Sequence, residues 1–288
     1  MAHCVAPDAE AVLDREFPVL DKGFVRLVDY LGSDERVVQS ARVSYGAGTK
    51  TYREDAGLID YLLRNRHTSP FEQVVLTFHV KLPVFVARQW IRHRTARLNE
   101  ISGRYSVMND DFYIPAPEDV ALQSTDNKQG RSPDVMEAGA AEKVREAFAE
   151  GQKKAYAGYV SQINGGLARE LARINLPLSI YTEWYWQIDL HNLFHFLELR
   201  LDAHAQKEIR LYAEVLFDIA GKVAPRCCAS FKEHVLDGVK FSGAEFVELQ
   251  KRLGTEGGRA RPCAPGGGDI PPLNSKRFEE KLKTGRQT

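Results

Sequence analysis

Apolar positions in this chain switch between two patterns, alternation along strands and the wider repeat of amphipathic helices. Phe24 to Leu31 (FVRLVDYL) and Val74 to Leu82 (VVLTFHVKL) are rich in β-branched and aromatic residues and predict strands. Leu178 to Ile188 (LSIYTEWYWQI) predicts another. Helical spacing predicts helices over Glu35–Val43 and over Glu54–Arg66, where Leu58, Ile59, Leu62 and Leu63 share a face. Pro83 suits the first turn of a further helix through Ile91. That helix sets Arg88 and Arg92 on one face with Gln89 beside Arg92. Helices are also predicted over Glu137–Ile163, Leu167–Ile174, Leu190–Leu201 and from there to about Val223.

Between these elements lie a turn at His67–Glu72, set by Pro70, an irregular stretch from Thr95 to Gly103, and an extended one from Arg104 to Ile114. Residues 115–135 are polar and read as an exposed insertion, and residues 1–20 as a loosely attached arm. The expected fold is α+β: a mixed or antiparallel sheet with flanking helices, in one large domain over residues 21–253. After Leu253 the chain turns Gly-, Pro- and Lys/Arg-rich, so residues 254–288 are expected to be disordered.

Charge sharpens this picture. Lys+Arg and Asp+Glu are equal at 39 each, which argues against a general nucleic-acid surface. Yet Arg88 to Ser106 (RQWIRHRTARLNEISGRYS) holds five arginines, one histidine and one glutamate. Guanidinium groups grip phosphates through paired hydrogen bonds, and Glu100 alone cannot neutralise five of them. The patch is therefore expected to hold a small phosphorylated ligand. The four cysteines, Cys4, Cys227, Cys228 and Cys263, have neither disulfide nor zinc spacing, which suits a reducing cytoplasm. No signal peptide or membrane helix is visible.

Other groups admit plainer readings. Glu170 and Arg173 can pair along one short helix. His191 and His195, with Asp189 or His204, have the spacing of a facial metal site, but Asn192 breaks the zincin pattern, and no metal is expected. Arg200 follows Phe194, Phe196, Leu197 and Leu199 and needs a partner, either Asp202 or a ligand. A loop histidine such as His67 is usually structural. Ser102 has no base near it in sequence, so a positioning role fits better than a nucleophilic one.

Arg92-His93-Arg94, seven residues and then Ser102 resembles the signature of the flavin-dependent thymidylate synthases. The blocks DKGFVRLVDYLG, ARVSYG, RHTSPFEQ, FVARQWIRHR, GRYS, FYIP, LARELARINLPL and LRLDAHAQKEI are similar to that family's in the same order, over roughly residues 21–235. The resemblance implies reductive methylation of dUMP to dTMP in the cytoplasm. Methylenetetrahydrofolate would give the carbon, NADPH the electrons, and FAD would relay the hydride. It implies no cysteine nucleophile and a homotetramer with shared active sites, without nucleic acid or membrane as partner.

Carried over by position, Gln89, Trp90, Ile91, Arg92, Glu100, Ile101, Ser102, Gly103, Arg104, Arg173 and Arg200 would meet dUMP. Arg200 would be catalytic, favouring ionisation of the pyrimidine. Ser69, Arg92, His93, Arg94, Glu100, Asp189, Leu190, His191 and His195 would meet FAD, and His67 would serve flavin and folate handling. The chain departs from the family pattern at Arg97, where serine is common, and at Asp189, His191 and His195, which replace Asn, Arg and Asn. Two rival readings are a non-catalytic nucleotide- or RNA-binding protein and a metal hydrolase on His191, His195 and Asp189.

Overall fold

A computed structural model describes residues 5–43, 52–125 and 129–253, with 278, 279 and 282. Ser44 to Gly46 of the ARVSYG block lie outside them. The elements run in the order α1 (Pro7–Glu10), β1 (Glu16–Val19), β2 (Gly23–Leu31), α2 (Asp34–Arg42), α3 (Tyr52–Arg64), β3 (Val75–Pro83), α4 (Val84–Trp90) and β4 (Arg97–Glu100). There follow β5 (Ala121–Gln123), β6 (Arg131–Val135), α5 (Ala138–Asn164), α6 (Arg169–Ala172), β7 (Tyr181–Asp189), α7 (Leu190–Arg200), α8 (Lys207–Val223), α9 (Pro225–Phe231) and α10 (Gly243–Arg252). The chain divides into two compact units, 1–228 and 229–288.

The first unit is an α+β fold. Its five-stranded sheet has the order β1-β2-β3-β7-β4, and all four pairings are antiparallel. Alternation along the strands sorts the two faces. Val25, Leu27, Leu76, Phe78, Val80, Trp184, Trp186 and Ile188 are buried on one side. Thr77, His79, Lys81, Glu183 and Gln187 point the other way, where His79 Nε2 lies 3.2 Å from Glu183 Oε2. The buried face carries α4, α7 and α8.

Trp90, the last residue of α4, ends in the middle of this core. Its ring meets Trp184 edge-on at 5.6 Å and Trp186 at 5.1 Å, and packs at 4.8 Å on Phe196 from α7. Tyr212 of α8 closes the cluster at 6.0 Å. Such ring contacts add to the apolar burial of five large rings.

Several elements differ from the sequence expectation. The stretch read as an arm supplies α1 and β1, and β1 pairs with β2 from Glu16↔Arg26 to Val19↔Gly23. The irregular region contains β4, which pairs with β7. Its four residues are all exposed, so there was no apolar alternation to mark a strand. Arg104–Ile114, expected to be extended, begins in a turn; farther on, Phe112 makes an isolated bridge with Ile180, and the Asp111 carbonyl accepts from the Tyr181 amide of β7 at 2.9 Å. The insertion at 115–135 is not merely exposed: it folds into the β5–β6 hairpin, and Val120 is buried. Pro83 stands one residue before α4 as its cap.

In the second unit, Ser242 and Glu245 form a reciprocal capping box at the start of α10. The expected disorder of 254–288 concerns residues outside the described set, apart from 278, 279 and 282. Of these, Phe278 is fully buried under Arg252, 5.0 Å away, with Phe241 at 6.3 Å.

Trp90→Ala is expected to cost about 3–5 kcal/mol, the range for deleting a large buried ring. Denaturant unfolding of the purified variant measures it.

Candidate functional site

α4 ends where its apolar anchor ends. Trp90 is pinned in the core, and the chain turns out at once through Ile91, Arg92, His93 and Arg94, with His93 N–H donating to the Trp90 carbonyl at 3.0 Å. α7 brings Arg200 to the same place from its own last turn. Arg200 Nε donates to His93 Nε2 at 3.2 Å. The His93 ring also packs on Phe196 at 4.9 Å and faces His195 at 5.7 Å.

The sequence offered Arg200 a carboxylate or a ligand as partner. Its protein partner is a neutral histidine, while Asp202 bonds to His204 at 2.9 Å. Burial, then the charges of Arg200 and His195, push the His93 pKa from 6.5 down to about 4, so the ring stays an acceptor at neutral pH. Burial and the neighbouring Arg92 also lower the Arg200 pKa. Among the described residues no carboxylate pairs with Arg92, Arg94 or Arg200. Arg200 and the neighbouring Arg92 thus stand together with an imidazole and no carboxylate, an arrangement that suits phosphate or developing negative charge. Gln89 borders the group and donates from Nε2 to Gln206 Oε1.

A second group forms along β4 and the loop after it. Glu100 accepts from Thr182 Oγ1 at 2.6 Å, and Ile101 N–H donates to the Glu183 carbonyl at 2.9 Å. Ser102 Oγ accepts from the Arg104 amide at 3.3 Å; among the described residues no base bonds to this hydroxyl. Gly103 lies against Arg173, and a Cβ at 103 would stand 3.2 Å from Arg173 Cδ and 3.1 Å from Met108 Sδ. Arg173 and Glu100 line a cavity of about 190 Å³ with Ile101, Gly103, Met108 and Thr182. Glu170 pairs with Arg104 at 3.3 Å on the surface, not with Arg173.

The predicted residues thus fall into two groups on this chain: Gln89, Arg92, His93, Arg94, His195 and Arg200, and Glu100 to Arg104 with Arg173. Among the described residues no hydrogen bond or ion pair joins them. Others take different places. The Trp90 ring is fully buried, so its part is to anchor α4. Leu190 is also fully buried, and its amide donates to the Val74 carbonyl at 2.8 Å. Asp189 caps α7, accepting from Asn192 N at 2.9 Å and Nδ2 at 2.7 Å. That bond occupies the carboxylate a His191–His195 metal set would have needed, and among the described residues no three metal-ligating side chains cluster. His67 and Ser69 are exposed in the turn after α3, His67 edge-on to Tyr61 at 5.7 Å.

Cys227 and Cys228 are buried, and burial followed by Asp34 raises both thiol pKa values, so neither serves as a thiolate nucleophile. Cys4 and Cys263 lie outside the described residues. Sequence reasoning missed Gln206 and Glu208. Both lie inside the LRLDAHAQKEI block, but only three-dimensional placement brings them beside Gln89.

Residues 26–226 match the family described as thymidylate synthase complementing protein, and residues 239–288 match the thymidylate synthase ThyX C-terminal domain. A flavin-dependent thymidylate synthase from Treponema denticola is 62% identical over 276 residues, covering 96% of this chain and all of the relative. The Treponema pallidum enzyme of the same name is 60% identical, with 100% of this chain and 91% of the relative covered. Among solved structures, the UMP/dUMP methylase PolB of Streptomyces cacaoi bound with 5-Br dUMP superposes with a TM-score of 0.69 at 32% identity. The match covers 76% of this chain and 98% of PolB. With more than half of its length matched by the family and relatives this similar end to end, the chain belongs to the flavin-dependent thymidylate synthases.

Proposed function

We propose that this protein converts dUMP to dTMP, with methylenetetrahydrofolate as carbon donor, NADPH as reductant and FAD as the bound hydride relay. The observation that carries the reading is Arg200, without a carboxylate partner, bonded to a neutral His93 and neighboured by Arg92, with Arg94 next in the chain after His93 and likewise without a carboxylate partner. The donor set suits the phosphates of a flavin dinucleotide and a nucleotide, so Arg92, His93, Arg94 and His195 would hold FAD. FAD supplies hydride transfer when bound. The balance is simple: uracil C5 loses a proton and gains a methylene, which takes up one hydride to become methyl, and tetrahydrofolate leaves.

The protein's own share is binding and electrostatics. Arg200, held at Nε by His93, presents its remaining N–H donors outward. A partly desolvated cation there favours loss of the pyrimidine N3 proton, placing negative charge on the ring that attacks through C5. Glu100, Ser102, Gly103, Arg104 and Arg173 hold the nucleotide from the other group. Because no hydrogen bond or ion pair joins the two groups among the described residues, we read each active site as shared between subunits of a homotetramer, one chain giving Arg200 and another giving Arg173.

Arg200→Ala should lower kcat roughly 10²-fold while the purified protein keeps its flavin absorbance; normal turnover would refute the role. Arg200→Ala and Arg173→Ala should each be strongly impaired alone, yet activity should rise well above either when the two are co-expressed. Mixed oligomers no more active than either variant would refute sharing.

The His93 pKa also makes a stability prediction. Its folded value, about 4, lies below the ordinary 6.5, so between these pH values the unfolded chain binds a proton that the folded chain does not. The contribution is full above about pH 6.5 and declines as pH falls toward about 4. His93→Gln keeps an acceptor for Arg200 but cannot titrate. Its Tm should fall less than that of the unsubstituted protein across this window, as measured by calorimetry.

A further inference from the structure

One buried carboxylate near the substrate residues has no part in the chemistry above. Glu208, in the first turn of α8, is 3% exposed. Its Oε1 accepts from Arg131 Nη2 at 2.5 Å and from the Tyr113 hydroxyl at 3.1 Å. Its Oε2 accepts from Gln206 Nε2 at 2.8 Å. Gln206 Oε1 in turn accepts from Gln89 Nε2. A carboxylate therefore heads a chain of two amides that ends on a substrate residue.

The direction of this chain follows from donor and acceptor chemistry. An ionised carboxylate only accepts, whereas an amide has a donor end and an acceptor end. Gln206 must turn its NH2 toward Glu208, so its carbonyl faces Gln89. Gln89 must answer with its own NH2, which leaves its carbonyl oxygen for a ligand. Burial alone would raise the Glu208 pKa, but the hydrogen bond and charge of Arg131 outweigh it and hold the carboxyl below its usual range, so it stays ionised. Arg131 comes from β6, which ties the 121–135 hairpin to the same chain of bonds.

We propose that Glu208 is a positioning residue: through Gln206 it fixes which end of the Gln89 amide faces the nucleotide, so that Gln89 selects a hydrogen-bond donor on it. This rests on the assignment of Gln89 to dUMP made above. Glu208→Gln keeps the shape but not the direction. Arg131 would hold the new carbonyl, the new NH2 would face Gln206, and both downstream amides would invert. Gln89 would then offer NH2 where the nucleotide also offers a donor.

The test is steady-state kinetics on full-length holoprotein. Glu208→Gln should raise the dUMP KM about tenfold, the scale of one misdirected hydrogen bond. Its kcat, flavin content and KM for NADPH should stay within about twofold. Gln206→Met should raise the dUMP KM without lowering Tm, because Gln206 is exposed; it carries the test if Glu208→Gln does not fold. Tyr113→Phe removes a donor to Glu208 without redirecting either amide, so it should lower Tm and leave the dUMP KM alone. A purely structural Glu208 would instead make Tyr113→Phe and Glu208→Gln behave alike. If Gln89→Ala raises the dUMP KM while Glu208→Gln and Gln206→Met leave it within twofold, the positioning role is overturned and the proposed function stands. If Gln89→Ala leaves the dUMP KM unchanged, Gln89 is not a substrate residue, and this proposal falls with that assignment.

Discussion

The cationic end of this protein depends on one buried ring. Trp90 sits where α4 stops, wedged among Trp184, Trp186, Phe196 and Tyr212. Each neighbour comes from an element that the site also uses. β7 pairs with β4, α7 ends in Arg200, and α8 begins beside Gln206. Mutually repelling guanidinium groups have no tendency to gather by themselves. Apolar burial a few residues upstream in each helix fixes them together and holds the repulsion in the folded state.

That constraint explains the choice of a histidine at the centre. A carboxylate beside Arg200 would neutralise it and compete with any bound anion. An aliphatic residue would leave the buried Nε–H without an acceptor. A neutral imidazole satisfies the hydrogen bond and leaves the charge intact. Partial burial first, and then the charges of Arg200 and His195, depress the His93 pKa and keep the imidazole neutral. The burial that makes a cation costly here, helped by Arg200's charge, therefore also maintains the protonation state the geometry needs.

How far the sequence carried depended on which force shaped each segment. Elements with one apolar face were legible: β2, β3, β7, α3 and α8 lie within a few residues of their expected ranges, because burial dictates their periodicity. β4 was not, since Arg97-Leu98-Asn99-Glu100 is exposed along its length and owes its conformation to the neighbouring β7. The site shows the same divide. The arginines were legible because so much unneutralised charge in so few residues has few other uses. The grouping was not, since Arg173 joins Glu100 and Gly103 while Arg200 joins His93, and only chain topology decides which cation stands beside which residue. Trp90 and Leu190 show the converse: a residue in a ligand-binding motif can serve it by being buried.

The separation of the two groups follows from the same sheet. β4 is an edge strand, and its polar residues run along the rim toward Gly103 and Arg173. The His93–Arg200 group instead emerges from the helical layer on the sheet's apolar side. Both are built on one aromatic core: Trp184, which pairs with Glu100 of β4, packs on Trp90 at the end of α4. The core that burial requires therefore positions both polar groups, and the exposure of all four β4 residues leaves that edge open to a ligand.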